Sequence, residues 1–495
     1  MVEGLSQLVL GYTPATVPGG RFGFMFPGLP AQGEGVPGET IRGWLASLGA
    51  ALRDDVDANG KPFPAGDHPS LPAGYTYLGQ FIDHDLTFDP TPLPDGVIDI
   101  SSLVNFRSAA LDLDCFLGLG PSVSSVLYEG RSAGPQEGRL RTAESLQGNL
   151  QVVAHDLPRL PGGTPLIGDR RNDENLAIGQ LHTAFLTFFN TVYDGLLSGT
   201  LADIGPAGGT IGDKASRLVR WHYQWIVLRD FLPRIIETPI LDAVIVNGPQ
   251  YYRPQPGQAY MPVEFAGAAF RLGHSMVRER YHWNSNFRDA TLAQLFSFSS
   301  SGGAVPVPSN WFANWNRLFE IDGQVAVNRS RRLDQYTVPG LHQLPDVPSP
   351  GSLAVRNLLR GWSWGLPSGQ SVANRLQLTA LRPDQILTDP GGQLSKEAQF
   401  VEPFNFHVDT PLWYYILKES EVYHLGERLG PVGSTILAEA FVGLLLADAE
   451  SYLSQNPGWL PVLPRQDDDQ FTMADLFRFL PGEALNPVGG DTGPL

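Results

Sequence analysis

Residues 79–86 read GQFIDHDL, a short and mostly apolar segment in which His84 stands directly between two carboxylates, Asp83 and Asp85. An ionised group taken unpaired into a core costs several kcal/mol, so each of the three needs a partner if this segment is buried. Read as a helix, the segment sets Gln80 and His84 four apart on one face, with Asp83 and Asp85 about 100° to either side. One face then aims an imidazole and an amide at a common target, with Asp83 at its edge and Asp85 pointing elsewhere. The alternative for the same residues is a surface helix with solvated aspartates, which the neighbouring Phe81, Ile82 and Leu86 oppose.

Outward from this segment, apolar residues recur at three and four spacing over residues 172–197, 214–237, 263–283, 352–361 and 411–453, the mark of amphipathic helices. Strand-like alternation is scarce, and VIVNGPQYY (244–252) is the best hairpin candidate. The first seventy residues are loop-like, broken by one helical candidate, TIRGWLASLGAAL (40–52), and the chain from about 456 returns to Pro/Gly/Asp-rich loop. No repeat occurs at periods of 20 to 50 residues. The expected architecture is mainly α: one large helical domain over 71–455 with long loops and little β. A loop-rich extension (1–70) packs on it, and a loop-rich tail (456–495) follows.

With 495 residues and 42% hydrophobic content, the chain can bury a large core. Acidic residues outnumber basic ones 51 to 34, a formal charge of −17, which argues against nucleic acid or anionic membrane as partners and for a small diffusible one. A single cysteine, Cys115, allows no internal disulfide. No N-terminal secretory pattern and no apolar run near the roughly 20 residues of a membrane span is present. The expected location is cytoplasmic by default, since export without a signal leaves no mark in a sequence.

Two further segments carry chemistry. In LIGDRRNDENLAIGQLHTAF (166–185), Arg171 and Glu174 sit three apart at the opening of a long helix, where a glutamate is also favoured by capping and the macrodipole. In AGAAFRLGHSMVRERY (266–281), His274 lies among small residues that would let a flat cofactor approach, although a lone histidine there is also ordinary core. His84, Asp85, His155, His182 and Glu174 could be combined into a non-haem metal hydrolase, but no HExxH or similar tight ligand set supports it. A non-catalytic binding or structural protein is the remaining alternative of another class.

Five motifs in order, GQFIDHD (79–85), ALDLDCFLG (110–118), GDRRNDENLAIGQLHT (168–183), AFRLGHS (269–275) and LAVRNLLRGWSWGLPSGQ (353–370), resemble those of the animal-type haem peroxidases, in a bacterial-style form without disulfides. The resemblance implies haem b, possible covalent attachment included, and calcium. It makes His84 the distal base, with Gln80 and Arg171 completing that pocket, and His274 the proximal iron ligand with Asn357 as partner of its other ring nitrogen. Arg271 and Arg360 match positions that hold the haem propionates, and Asp83 and Glu174 match carboxylates that form ester links to haem methyl groups. Asp85 with Ser108, the Ala110 carbonyl, Asp112 and Asp114 matches the calcium loop; taken without the family, LDLD could equally be a strand edge with solvated aspartates.

The implied activity is reduction of hydrogen peroxide at the haem iron and oxidation of halide, thiocyanate or small aromatic donors. Asn175 stands where myeloperoxidase has a methionine linked to haem, which disfavours chloride and leaves bromide, iodide, thiocyanate or organic donors. The rival within the superfamily is fatty-acid dioxygenation, which needs a tyrosine three residues before the proximal histidine; Arg271 occupies that position. Trp283 in YHW (281–283) is followed by Asn284, so that triplet does not displace His274 as the ligand.

Overall fold

The computed structural model describes residues 20–129, 138–143, 155–205, 208–345 and 347–490. Its principal helices are α1 (Gly38–Ala51), α2 (Gly74–Leu86), α3 (Leu176–Ser198), α4 (Ile211–Trp225), α5 (Thr238–Asn247), α6 (Leu353–Ser363), α7 (Leu412–His424), α8 (Pro431–Ala447) and α9 (Met473–Phe479). Strand content among the described residues is confined to three two-stranded ladders. The mainly α architecture expected from the apolar periodicity is therefore the observed one. No described helix is long and apolar enough to cross a membrane.

Local chemistry starts these helices where the sequence allows. Asn175 Oδ1 accepts the Ile178 N–H to open α3, Thr210 and Asp213 form a reciprocal capping box at α4, and Ser352 caps α6. The core then orients them. Phe81 of α2 stacks on Phe185 of α3 with centroids 4.5 Å apart, and α3 runs against α4, α1 against α6, and α5 against α8. The α4 pattern continues through a π-helical stretch, Ile226–Phe231, into Leu232–Ile235. That stretch presents Asp230, which accepts from Tyr75 Oη at 2.8 Å and the Met473 N–H at 2.9 Å, tying α2 to α9.

Several expectations are corrected. Residues 263–283 do not form one helix but three short turns, Val263–Gly267, Ala269–Leu272 and Gly273–Met276, followed by the strand Arg280–Tyr281. The break falls at Ala268, whose φ of −138° and ψ of −71° are not helical. VIVNGPQYY is no hairpin: α5 covers its first half and ends at Gly248 in a positive-φ conformation (+75°). The N–H groups of Gln250, Tyr251 and Tyr252 that a strand would have paired are taken by the buried carboxylate of Glu439 on α8. The pattern over 411–453 splits at Leu425 and Gly426, both with positive φ, into α7 and α8.

The segment from 456, read as loop, also carries α9, and its Phe477 stacks on Trp315 at 4.6 Å in the core. Of the extension read over 1–70, residues 1–19 lie outside the described residues. The rest supplies α1, whose Gly49 meets Val355 of α6 so closely that a Cβ there would stand 2.7 Å from the Val355 Cα.

Candidate active site

Helix α2 carries His84, only 3% exposed, into the wall of a cavity of about 950 Å³ that Gln80, Asp83, Arg171, Glu174 and Asn175 also line. His84 Nδ1–H donates to Asn172 Oδ1 at 2.8 Å, and its Nε2 lies 3.4 Å from Glu174 Oε1. Gln80 Nε2 donates to that same Glu174 oxygen at 2.7 Å, and Asn175, the cap of α3, donates its Nδ2 to Gln80 Oε1 at 3.3 Å. Helix α3 is thus opened by a residue that also holds Gln80 in place.

Arg171 comes from the short turn Arg170–Asp173 that precedes α3. Its guanidinium donates to the His84 carbonyl at 3.1 Å and to Asp169 Oδ2 at 2.7 Å, lies over the Phe88 ring at 4.6 Å, and stands 3.9 Å from Asp83 Oδ2. Burial acts to raise the Asp169 carboxyl, but the Arg171 and Arg107 cations overcome it and hold that group well below the usual carboxylate range. Asp169 is therefore a fixed anion that orients Arg171. Neither Asp169 nor Asn172 was singled out from sequence; each stands inside GDRRNDEN, where nothing in residue type or spacing announces its tertiary partner.

His274 lines the same cavity from the turn Gly273–Met276, beside Arg271 and Arg360 and the apolar Phe270, Leu272 and Trp364. Burial, reinforced by the Arg271 cation, depresses the His274 imidazole to about 3, which keeps it neutral. Asn357 on α6 approaches as expected, but its Nδ2 rather than its oxygen faces His274 Nδ1, at 2.9 Å, because Oδ1 accepts from Arg271 at 3.4 Å. Turning the amide over lets Nδ1–H donate, at the cost of the Arg271 bond, since Nδ2 then faces a guanidinium that must find another acceptor.

Arg271 also donates to the Ala266 carbonyl at 2.9 Å and has no carboxylate within salt-bridge distance among the described residues. Arg360 is paired with Asp89 at 3.2 Å, and burial together with repulsion from Arg271 lowers it to about 10. Two guanidiniums at a cavity edge, one lacking an anion, two imidazoles on its walls and apolar surface between them fit a flat, dianionic macrocycle.

A second cluster lies behind α2. Carboxylate oxygens of Asp85, Asp112 and Asp114 all fall within 4.8 Å of one another, the one such metal-capable group among the described residues. Both Asp85 oxygens are buried without a hydrogen-bond partner there. Burial and the charges of Asp112 and Asp114 push the Asp85 carboxyl well above its ordinary range. Ser108 donates its hydroxyl to Asp112 at 2.8 Å and its N–H to Asp114 at 3.1 Å, and Arg107 donates to Asp114 at 3.1 Å. Ala110 lies half-buried in the same loop. Orphaned buried carboxylate oxygens that repel one another are the donor set a hard divalent cation requires. The hydrolase set of His84, Asp85, His155, His182 and Glu174 is not assembled as a metal-holding group.

The fold and this site define a class: a mainly helical protein built around a cavity faced by two imidazoles, with an acidic loop behind one of them. A family model described as animal haem peroxidase matches residues 104–456, and the chain belongs to that family. Arg171, His274 and Asn357 lie within the matched stretch and His84 before it. A peroxidase-like protein of Margaritifera margaritifera is 25% identical over 441 residues, covering 70% of this chain and 50% of that protein. Peroxidasin of Drosophila melanogaster is 24% identical over 372 residues, 68% of this chain and 23% of its own length. The chain thus spans half or less of these relatives. The fold resembles that of peroxidase A from Dictyostelium discoideum, with a TM-score of 0.60, 17% identity and 90% of each chain covered. It also resembles that of the fatty acid alpha-dioxygenase of Arabidopsis thaliana, with a TM-score of 0.57, 13% identity, and 96% and 77% covered.

Proposed function

We propose that this chain is a haem-dependent peroxidase that reduces hydrogen peroxide and oxidises small donors: bromide, iodide, thiocyanate or small aromatics. The observation that carries the reading is that His84 and His274 line one cavity together with Arg171. His274 would hold the haem iron through Nε2, with its Nδ1 proton accepted by the Asn357 amide in its turned-over orientation. Arg271 and Arg360 would take the propionates, and Asp83 and Glu174 lie at the same cavity, where each could form an ester to a haem methyl group with hydrogen peroxide as the two-electron oxidant of that methyl carbon. Bound haem supplies the redox chemistry.

The chain's own residues handle the protons. His84 Nε2 would take a proton from one peroxide oxygen and hand it to the other, which could then leave as water with the two electrons that bound haem would supply. Arg171, pinned by Asp169, stabilises the negative charge that develops on the leaving oxygen. Gln80 positions Glu174 and faces the same space. Asp85, Asp112 and Asp114, with Ser108 and the Ala110 carbonyl, would hold calcium one residue from the base, clamping the backbone that carries it.

The test is an absorption spectrum of the purified protein before and after peroxide, with acid-acetone extraction. A Soret band that shifts on adding peroxide is expected, and resistance to extraction reports covalent attachment. Absence of a Soret band after haem supplementation would sink the proposal. A second reading, fatty-acid dioxygenation, is favoured by an apolar arm of the cavity lined by Val277, Leu292, Phe296, Leu341, Leu344 and Leu353. It is opposed by Arg271 in place of a radical-carrying tyrosine. Oxygen uptake with linoleate separates the two.

A further inference from the structure

Asn172, fully buried, bridges two imidazoles. Its Oδ1 accepts from His84 Nδ1 at 2.8 Å, and its Nδ2 donates to His182 Nδ1 at 3.0 Å. An amide has one accepting and one donating end, so the ring that faces each end must carry the complementary proton. We propose that Asn172 and His182 are positioning residues that hold His84 as the tautomer protonated on Nδ1, leaving Nε2 bare toward the cavity. The inference rests on the peroxidase reading, in which that Nε2 is the base.

His182 on α3 is 1% exposed, and burial outweighs the nearby Asp169 anion to keep its imidazole neutral, depressed to about 3. A neutral ring whose Nδ1 accepts from Asn172 carries its proton on Nε2. That Nε2 has no hydrogen-bond partner among the described residues, and the rings of Phe81 and Phe116 flank the imidazole at centroid distances of 6.2 and 5.4 Å. An N–H is tolerated against aromatic faces, whereas a bare lone pair gains nothing there. His182 therefore acts as the acceptor, and Asn172 must turn its oxygen to His84.

The reversed chain, with every proton moved to the other end, would place a hydrogen on His84 Nε2 facing Glu174 Oε1 at 3.4 Å. That oxygen accepts from Gln80 Nε2 at 2.7 Å and has a lone pair left for such a proton, so it is the orientation of Asn172, not Glu174, that selects the tautomer. A His84 protonated on Nε2 could not accept a proton from peroxide at that atom. The buried amide is thus what separates a competent base from an idle one.

The tautomers are read directly from long-range ¹H–¹⁵N correlations of histidine-labelled holoprotein, reduced and treated with carbon monoxide to make it diamagnetic. The wild-type spectrum should show His84 protonated on Nδ1 and bare at Nε2, and His182 the reverse. His182→Gln, whose amide oxygen can still accept from Asn172, should keep the His84 tautomer and the peroxide rate. His182→Leu, which cannot accept, should yield a mixture of His84 tautomers and at least a tenfold slower peroxide reaction with the Soret band unchanged. A wild-type spectrum with His84 protonated on Nε2 overturns the inference without the variants. So does a folded His182→Leu protein of unchanged tautomer and rate. Because the tautomer is read whether or not peroxide turns over, a failure of the relay is distinct from a failure of the peroxidase reading. The latter would show the expected tautomer and no reaction with peroxide.

Discussion

Arg171 Nη2 donates to the backbone carbonyl of His84 at 3.1 Å and to Asp169 Oδ2 at 2.7 Å, while Nε of the same guanidinium donates to Asp169 Oδ1 at 3.1 Å, so the cation of the site is fixed to the helix that carries its base. Two residues 87 apart in sequence share one rigid frame. A lysine ammonium offers one nitrogen where Asp169 engages two, Nε and Nη2, and so cannot reproduce the two-point grip that fixes the plane of the cation.

Arg171→Leu should therefore slow the reaction with peroxide by about 10²–10³-fold, the range for removing one preorganised donor from a transition state. Arg171→Lys should recover only a small part of that loss. Stopped-flow rates at equal haem content check both, and a lysine variant at wild-type rate would refute the fork argument.

Asp85 gives the calcium proposal a signature in stability. Removing the cation with a chelator, or Asp85→Ala, should weaken haem retention and peroxide activity together, because the backbone of His84 loses its anchor. Asp85→Asn should do the same, yet the chelated asparagine variant should be more stable than the chelated wild type by about 1–3 kcal/mol. The amide removes a buried charge that has no partner and two like-charged neighbours. Denaturant melts with and without chelator, alongside metal analysis, decide it. A fully active, metal-free Asp85→Ala protein would falsify the clamp.

His222 on α4 makes the fold acid-sensitive. Its Nδ1–H donates to the Leu218 carbonyl at 2.7 Å, its Nε2 accepts from the Val462 and Leu463 N–H groups, and burial depresses it to about 3. The unfolded chain binds a proton at this residue below about 6.5 while the folded chain refuses it, so unfolding takes up a proton across that interval. This contribution to stability is complete above about 6.5 and is lost as pH falls toward about 3, at up to ~1.4 kcal/mol per pH unit. His222→Gln should lower stability at neutral pH and flatten its decline between pH 6.5 and 4.5. Parallel slopes for variant and wild type would refute the assignment.

Gly49→Ala should act at a distance. The added methyl meets backbone atoms of Val355, which cannot rotate away as a flexible side chain would, and overpacking of this kind costs about 1–3 kcal/mol. Since α6 also carries Asn357 and Arg360, its displacement should lower haem occupancy as well as the melting temperature. Thermal melts and the Soret-to-280 nm absorbance ratio report the two effects; loss of stability at full haem occupancy would separate α6 from the site.

Much of the fold was legible because helix formation is local. Apolar spacing marked α3, α4, α6 and the α7–α8 pair, and the caps at Asn175, Thr210 and Ser352 stand in the sequence beside the helices they open. The errors fall where a distant group overrode local preference. The N–H groups of 250–252, which a hairpin would have paired, go to Glu439 nearly 190 residues away. The helical period over 263–283 is broken at Ala268 into the short turns that carry His274 to the cavity.

The same division runs through the site. Residue type marked the segments that carry His84, Arg171, His274 and the three aspartates but left each open to a core or surface reading, and the order of five motifs resembling one family is what nominated them. Which partner each obtained was decided by tertiary structure: Asn172 for His84, Asp169 for Arg171, and neither hydrogen-bond donor nor cationic side chain for Asp85. Hydrogen bonds and charge act over a few ångströms, and only the folded chain brings those few ångströms about.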